Sequence, residues 1–262
     1  MNDRIKEEFE RLVETVAKLR APDGCPWDRE QTHDSLKRYA IEETYEVVEA
    51  IESGDPSQLE DELGDLMLQV LLHAQISSES EGFDIADVCV RLREKLQRRH
   101  PHVFGTTQVS GVDDVLTNWE QIKRGEPGYE HRKSVLDGVP NSLPALMRAA
   151  KLSKKAAKTG FDWPDVSAIV EKLREETGEL DEAVKTGDRD EIKSEIGDLL
   201  FTVVNIARFE GIDPEEALRE MLERFNFRFR KIEEKAEQSG RNIGDMTLAE
   251  MDAVWNEAKG RE

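Results

Sequence analysis

With 262 residues, 57 acidic against 37 basic side chains and a formal net charge of −20, the chain has length for one large domain or two ordinary ones. That acidity excludes a nucleic-acid polymer held on a broad basic surface, and an anionic small molecule would be repelled unless metal ions reverse the local field. No apolar run of membrane-spanning length occurs and Met1 to Glu8 lacks the apolar core of a signal peptide, so a cytoplasmic protein without membrane attachment is expected. Cys25 and Cys89 have neither a disulfide framework nor metal-like spacing and read as reduced thiols.

Ile5, Phe9, Leu12, Val13, Val16 and Leu19 recur at helical spacing and predict an amphipathic helix over 3–20, stopped by Pro22, Gly24 and Pro26. Trp27 to Thr32 reads as a loop. A second helix, capped by Asp34 or Ser35, turns Leu36, Tyr39, Val47 and Ile51 inward and ends at Ser53-Gly54-Asp55-Pro56. A third runs from about Ser57 through Ala74, and a fourth from about Asp84 to His100, before Pro101. Residues 104–114 read as loop, followed by a short helix with Trp119 and Lys123. Helix breakers crowd 124–145, which reads as a linker between an N-terminal domain, 1–123, and a C-terminal domain, 146–262. A helix over 143–158 enters the second half, which then predicts helices over 165–185, 190–209 and 215–238. Strand-like alternation is almost wanting, so the fold class is all-α, built of helical bundles.

One pattern occurs twice. Glu42-Glu43-Thr44-Tyr45-Glu46 and Glu62-Leu63-Gly64-Asp65 return as Glu175-Glu176-Thr177-Gly178-Glu179 and Glu195-Ile196-Gly197-Asp198, each acid displaced by 133 positions (Glu42 to Glu175). Gly54 and Gly187 share that offset, as do Arg91 and Arg224, and Lys95 and Arg228. Each half also closes in Trp-x-x-x-Lys, at Trp119 to Lys123 and Trp255 to Lys259. A duplicated domain is the simplest account.

Residues three or four apart share a helix face, which pairs Glu43 with Glu46 and Glu62 with Asp65. Glu46 lies eight residues before Gly54 and Glu62 eight after it, and Glu179 and Glu195 flank Gly187 in the same way. In an antiparallel hairpin both pairs then sit at one height, about 12 Å from the turn. Carboxylates converging there would raise one another's pKa unless a cation lay between them. All-oxygen ligation with room for water and phosphate selects a hard ion, Mg²⁺ first and Mn²⁺ as its substitute. Gly64 and Gly197 each forgo about 1 kcal/mol of helix propensity, which suggests close approach of the partner helix. His100 and His102, beside Pro101, read as a packed loop.

The Glu-Glu-x-x-Glu and Glu-x-x-Asp pair resembles the signature of the all-α nucleotide pyrophosphohydrolases. The surroundings resemble the MazG family: Gly24 to Asp28, Gln31-Thr32, His100 to Gly105, Leu136 to Pro140, and Lys155-Ala156-Ala157 through Gly160 to Trp163. The resemblance covers nearly the whole chain. It implies two tandem MazG-like domains in a homodimer and Mg²⁺-dependent hydrolysis of nucleoside triphosphates to the monophosphate and pyrophosphate. It also implies metal ligands at Glu176, Glu179, Glu195 and Asp198, with first-copy counterparts Glu43, Glu46, Glu62 and Asp65. The C-terminal copy is the one that the resemblance makes active. Glu175 or Glu176 would orient or deprotonate the attacking water, Arg224 and Arg228 would bind phosphate oxygens, and Trp255 would stack on the base. Members often carry Lys where this chain has Arg224. The competing class is a non-catalytic helical module that binds metal and nucleotide, or dimerises, without turnover.

Overall fold

The computed structural model describes residues 3–126 and 133–260, and every regular element among them is helical. The chain divides into two compact units, Met1–Tyr129 and Glu130–Glu262. Pro127 and Gly128, part of the expected linker, lie outside the described residues. No helix among the described residues is long and apolar enough to cross a membrane.

In the first unit α1 (Asp3–Arg20) leads through α2 (Pro26–Glu30) to the hairpin of α3 (Lys37–Ser53) and α4 (Pro56–Ser78). α5 (Ile85–Arg99), α6 (Pro101–Phe104) and α7 (Val112–Arg124) follow. The hairpin turn is set locally: Gly54 ends α3 with left-handed φ of 69°, the Asp55 side chain accepts from Ser57 N, and Pro56 opens α4 where no intrahelical N–H is required. Val16, Leu36, Leu71 and Leu72 form the buried cluster that joins α1 to the hairpin. Full burial of each such leucine contributes about 1.5–3 kcal/mol.

Four details differ from the sequence reading. Trp27 lies on a helical turn rather than in a loop, because Pro26 presets the first helical φ and Arg29 N donates to Cys25 O at 3.1 Å. Asp34 and Ser35 do not cap α3; burial of Leu36 makes it the N-cap, and Ser35 instead exchanges hydrogen bonds with Thr32. His102 stands on α6 instead of in a loop, since Pro101 opens a helical turn there. A Cβ built on Gly64 or Gly197 meets nothing within 4 Å, so neither glycine serves a close approach inside its own unit.

The second unit repeats the plan with α8 (Ala145–Ala157), α9 (Val166–Thr186), α10 (Arg189–Phe209), α11 (Pro214–Gln238), a 3₁₀ turn at Ile243–Asp245 and α12 (Leu248–Lys259). Gly187, with φ of 76°, turns α9 into α10, and the Asp188 carboxylate caps α10 by accepting from the N–H groups of Asp190 and Glu191. α8 packs on α10, and α11 packs on α8 and α12. Lys155 of α8 donates to the carbonyls of Val135 and Asp137, holding the preceding loop on this unit.

Candidate functional site

In the C-terminal hairpin, one oxygen each of Glu176, Glu179 and Glu195 comes within 4.8 Å of the others. The equal arms about Gly187 produce this, since two turns and a fraction up each helix bring the carboxylates to one level. Glu176 is only 6% exposed, and its charge is met by Lys172, whose ammonium lies 2.9 Å from it, 2.7 Å from Glu175 and 4.0 Å from Glu179. Hydrogen bonds that the ammonium donates to Glu175 and Glu176 hold the lysine protonated beyond its ordinary range. Loss of solvation raises the Glu179 carboxyl; Lys172 opposes that rise and Glu176 adds to it.

The N-terminal hairpin gathers Glu43, Glu62 and Asp65 in the same way. Burial raises the Glu43 carboxyl, assisted by Glu46 and Asp65, and desolvation followed by Glu46 and Asp65 raises that of Glu62. Gln69 donates to Glu43 at 3.3 Å, while its own Oε1 is buried without a partner. Tyr39 stands where the second copy has Lys172.

Each expected quartet is therefore a tight trio plus one outlying acid, Glu46 in the first copy and Asp198 in the second. Asp198 lines a cavity of about 440 Å³ beside Lys172 and Glu176, with Phe161, Trp163 and Phe201 on its walls. Arg224, Arg228 and Trp255 do not line this cavity. Arg228 and Trp255 meet each other instead, the guanidinium 5.2 Å from the ring centroid, with Phe225 edge-on to the same ring at 5.3 Å. Arg224 lies 3.6 Å from Glu220 on the surface of α11.

Lys172 escaped the sequence reading because the repeat comparison pairs it with a tyrosine. Its signal was local: a lysine three and four residues ahead of two glutamates on one helix face. Asn205 also escaped, a polar residue inside the apolar run Phe201 to Ile206 where the first copy has Leu72.

The donor sets suit a hard cation: carboxylate oxygens in both clusters, no His or Cys, and in the first copy an amide oxygen still lacking a donor. Duplicated helical hairpins, each carrying such an acid trio, define an all-α protein with two acidic clusters. The MazG nucleotide pyrophosphohydrolase domain model matches residues 31–104 and again 165–232. A Thermotoga maritima protein named nucleoside triphosphate pyrophosphohydrolase/pyrophosphatase MazG is 46% identical over 253 residues, 96% of each chain. The Escherichia coli K12 nucleoside triphosphate pyrophosphohydrolase is 42% identical over 97% of this chain and 98% of its own. Bacillus subtilis YabN, named only as uncharacterized, is 51% identical over 97% of this chain and 52% of its own length. The chain belongs to the MazG nucleotide pyrophosphohydrolase family and is an enzyme of that hydrolase class.

Proposed function

We propose that the chain hydrolyses nucleoside and deoxynucleoside triphosphates to the monophosphate and pyrophosphate, using the C-terminal copy. The observation that carries this reading is the Glu176, Glu179 and Glu195 trio, of which Glu176 lines, with Lys172 and Asp198, a cavity sized for a small ligand. Glu176, Glu179, Glu195 and Asp198 would hold Mg²⁺, or Mn²⁺ in its place, and Glu43, Glu46, Glu62 and Asp65 offer a second set in the first copy. Bound Mg²⁺ supplies charge neutralisation along the triphosphate.

Glu175 or Glu176 accepts the proton of the attacking water as its oxygen bonds to the α-phosphorus. The bond from that phosphorus to the bridging oxygen breaks, and pyrophosphate leaves with that oxygen. Lys172, already paired with both glutamates, orients them toward the water. Arg224 and Arg228 bind phosphate oxygens as bidentate forks, and Trp255, proposed from the sequence as a base-stacking group, has its ring occupied in bracing Arg228.

The same reading treats 1–123 and 146–262 as domains joined by 124–145, in a cytoplasmic homodimer. A second copy of the chain suits the half-exposed Ile196, Leu200 and Val203 of α10 and Leu218, Leu222 and Phe225 of α11. Reduced Cys25 and Cys89 fit the cytoplasm.

Incubation with ATP, GTP, CTP and UTP plus Mg²⁺, with products resolved by chromatography, tests the activity. Monophosphate with pyrophosphate is the expected pair; diphosphate with phosphate, or unchanged triphosphate, would overturn it. Light scattering should return twice the chain mass of 29.9 kDa.

A further inference from the structure

Within the cavity beside Glu176, two buried polar side chains have no part in the phosphate chemistry. Asn205 is 4% exposed and Ser153 is 7% exposed, yet both line the cavity wall. Ser153 Oγ donates to Asn205 Oδ1 at 2.5 Å, and Asn205 Nδ2 donates to the Phe201 carbonyl at 2.9 Å. An asparagine amide has two N–H donors and two acceptor lone pairs. One donor and one acceptor are thus used up in fixing the amide plane, and one of each remains. An oriented amide with a donor and an acceptor side by side matches the edge of a nucleobase, where such groups also stand side by side.

The rest of the cavity agrees with a flat ring. Phe161, Trp163 and Phe201 supply aromatic surface on which a base can stack. Asp198 and Asn205 are seven residues apart on one face of α10, which separates them by about 10 Å along the helix. The cavity therefore reaches from the acid cluster to the amide, as a nucleotide reaches from phosphate to base.

The first copy is an internal control. Leu72 replaces Asn205 and Tyr39 replaces Lys172, both at the offset of 133. Ala17 replaces Ser153 at the offset of 136 that relates Gly24 to Gly160 and Trp27 to Trp163. Leu72 belongs to the first unit's buried cluster, with Tyr39 and Leu68 packed against it. The hairpin thus folds with apolar groups at these positions, so the Ser153 and Asn205 pair is not required by the fold. A buried polar pair that the architecture can replace by leucine and alanine is explained by what it binds.

We propose that this cavity is the nucleobase pocket of the C-terminal copy and that Ser153 and Asn205 read the base edge. The proposal rests on the triphosphate reading above. Its test is calorimetric titration of the full chain with AMP, GMP, CMP and UMP in the presence of Mg²⁺, repeated on Asn205→Leu and Ser153→Ala, with inorganic tripolyphosphate as a base-free probe. The wild type should rank the four monophosphates. Asn205→Leu should weaken the preferred one about tenfold and flatten the ranking, with tripolyphosphate binding unchanged. A wild type that binds no monophosphate or binds all four equally, variants that keep the ranking, or an equal loss for tripolyphosphate would each overturn it. Should Asn205→Leu fail to fold by circular dichroism, Ser153→Ala decides by the same criteria. Monophosphate ranking without pyrophosphate release from triphosphates would defeat the hydrolytic reading alone; hydrolysis with an unaltered ranking would defeat the base pocket alone.

Discussion

Lys172 makes the C-terminal acids chemically unlike their first-copy counterparts. Its ammonium contacts Glu175 and Glu176 closely and Glu179 more distantly, which places one positive charge among the acids of α9. Glu179 sits at the exposed edge of that group and is the best single probe of the metal function. Glu179→Gln should lower Mg²⁺-dependent turnover at least about 100-fold, since a lost carboxylate ligand removes several kcal/mol of charge stabilisation; turnover at the wild-type rate would sink the metal-cage reading. A second residue-scale prediction concerns Glu126 of the first unit, whose carboxylate accepts from both Arg98 and Arg99. The Arg99 bond foremost, then Arg98, holds its pKa down at about 2 from an ordinary 4.5. A depressed carboxyl stabilises the fold above its unfolded pKa and loses that contribution as pH falls through the folded value. Urea unfolding of Glu126→Gln should therefore show a constant deficit against wild type near neutral pH. The deficit should shrink below pH 4.5 and vanish toward about 2.

At the scale of elements, the two hairpins are the devices that align the acids. Gly187 has φ of 76° and open space where a Cβ would go, so Gly187→Ala strains only the backbone. The expected cost is about 1–2 kcal/mol in thermal or chemical unfolding. Gly197 is the opposite case: a mid-helix glycine, with nothing near its Cβ position inside the unit. Gly197→Ala should stabilise an isolated unit by about 0.5–1 kcal/mol. If a second copy packs against Ile196 and Leu200, the added methyl should also weaken association, which analytical ultracentrifugation would register. No change in association, with the expected gain in stability, would remove this face of α10 from the interface.

For the whole molecule the duplication poses the question of labour. The first copy keeps Glu43, Glu62 and Asp65 together but has Leu72 and Ala17 where the second has the cavity-lining Asn205 and Ser153. Glu176→Gln should abolish pyrophosphate release, and Glu43→Gln should leave most of it while removing one increment of Mg²⁺ stabilisation from the melting curve. At 100-fold saturation a single bound ion contributes about 2.7 kcal/mol. Activity lost equally in both variants would mean that the copies act together.

Helix order, hairpin turns and the acid repeat were legible from the residues because they depend on local rules: apolar spacing, Gly and Pro stops, and a fixed offset between copies. The cap of α3 was not, since burial of Leu36 overrode the polar candidates beside it. Nor were Lys172, Ser153 and Asn205, which gain meaning only when α8, α9 and α10 are packed. The sequence by itself determined that two acidic hairpins exist and that their carboxylates share a level. Only the tertiary structure decided which acids form the tight trio, that Lys172 stands among the acids of one copy, and that a cavity of about 440 Å³ opens beside Glu176 and Asp198. Periodicity specifies which face of a helix a residue occupies; the space between faces depends on side chains contributed by helices distant in the chain.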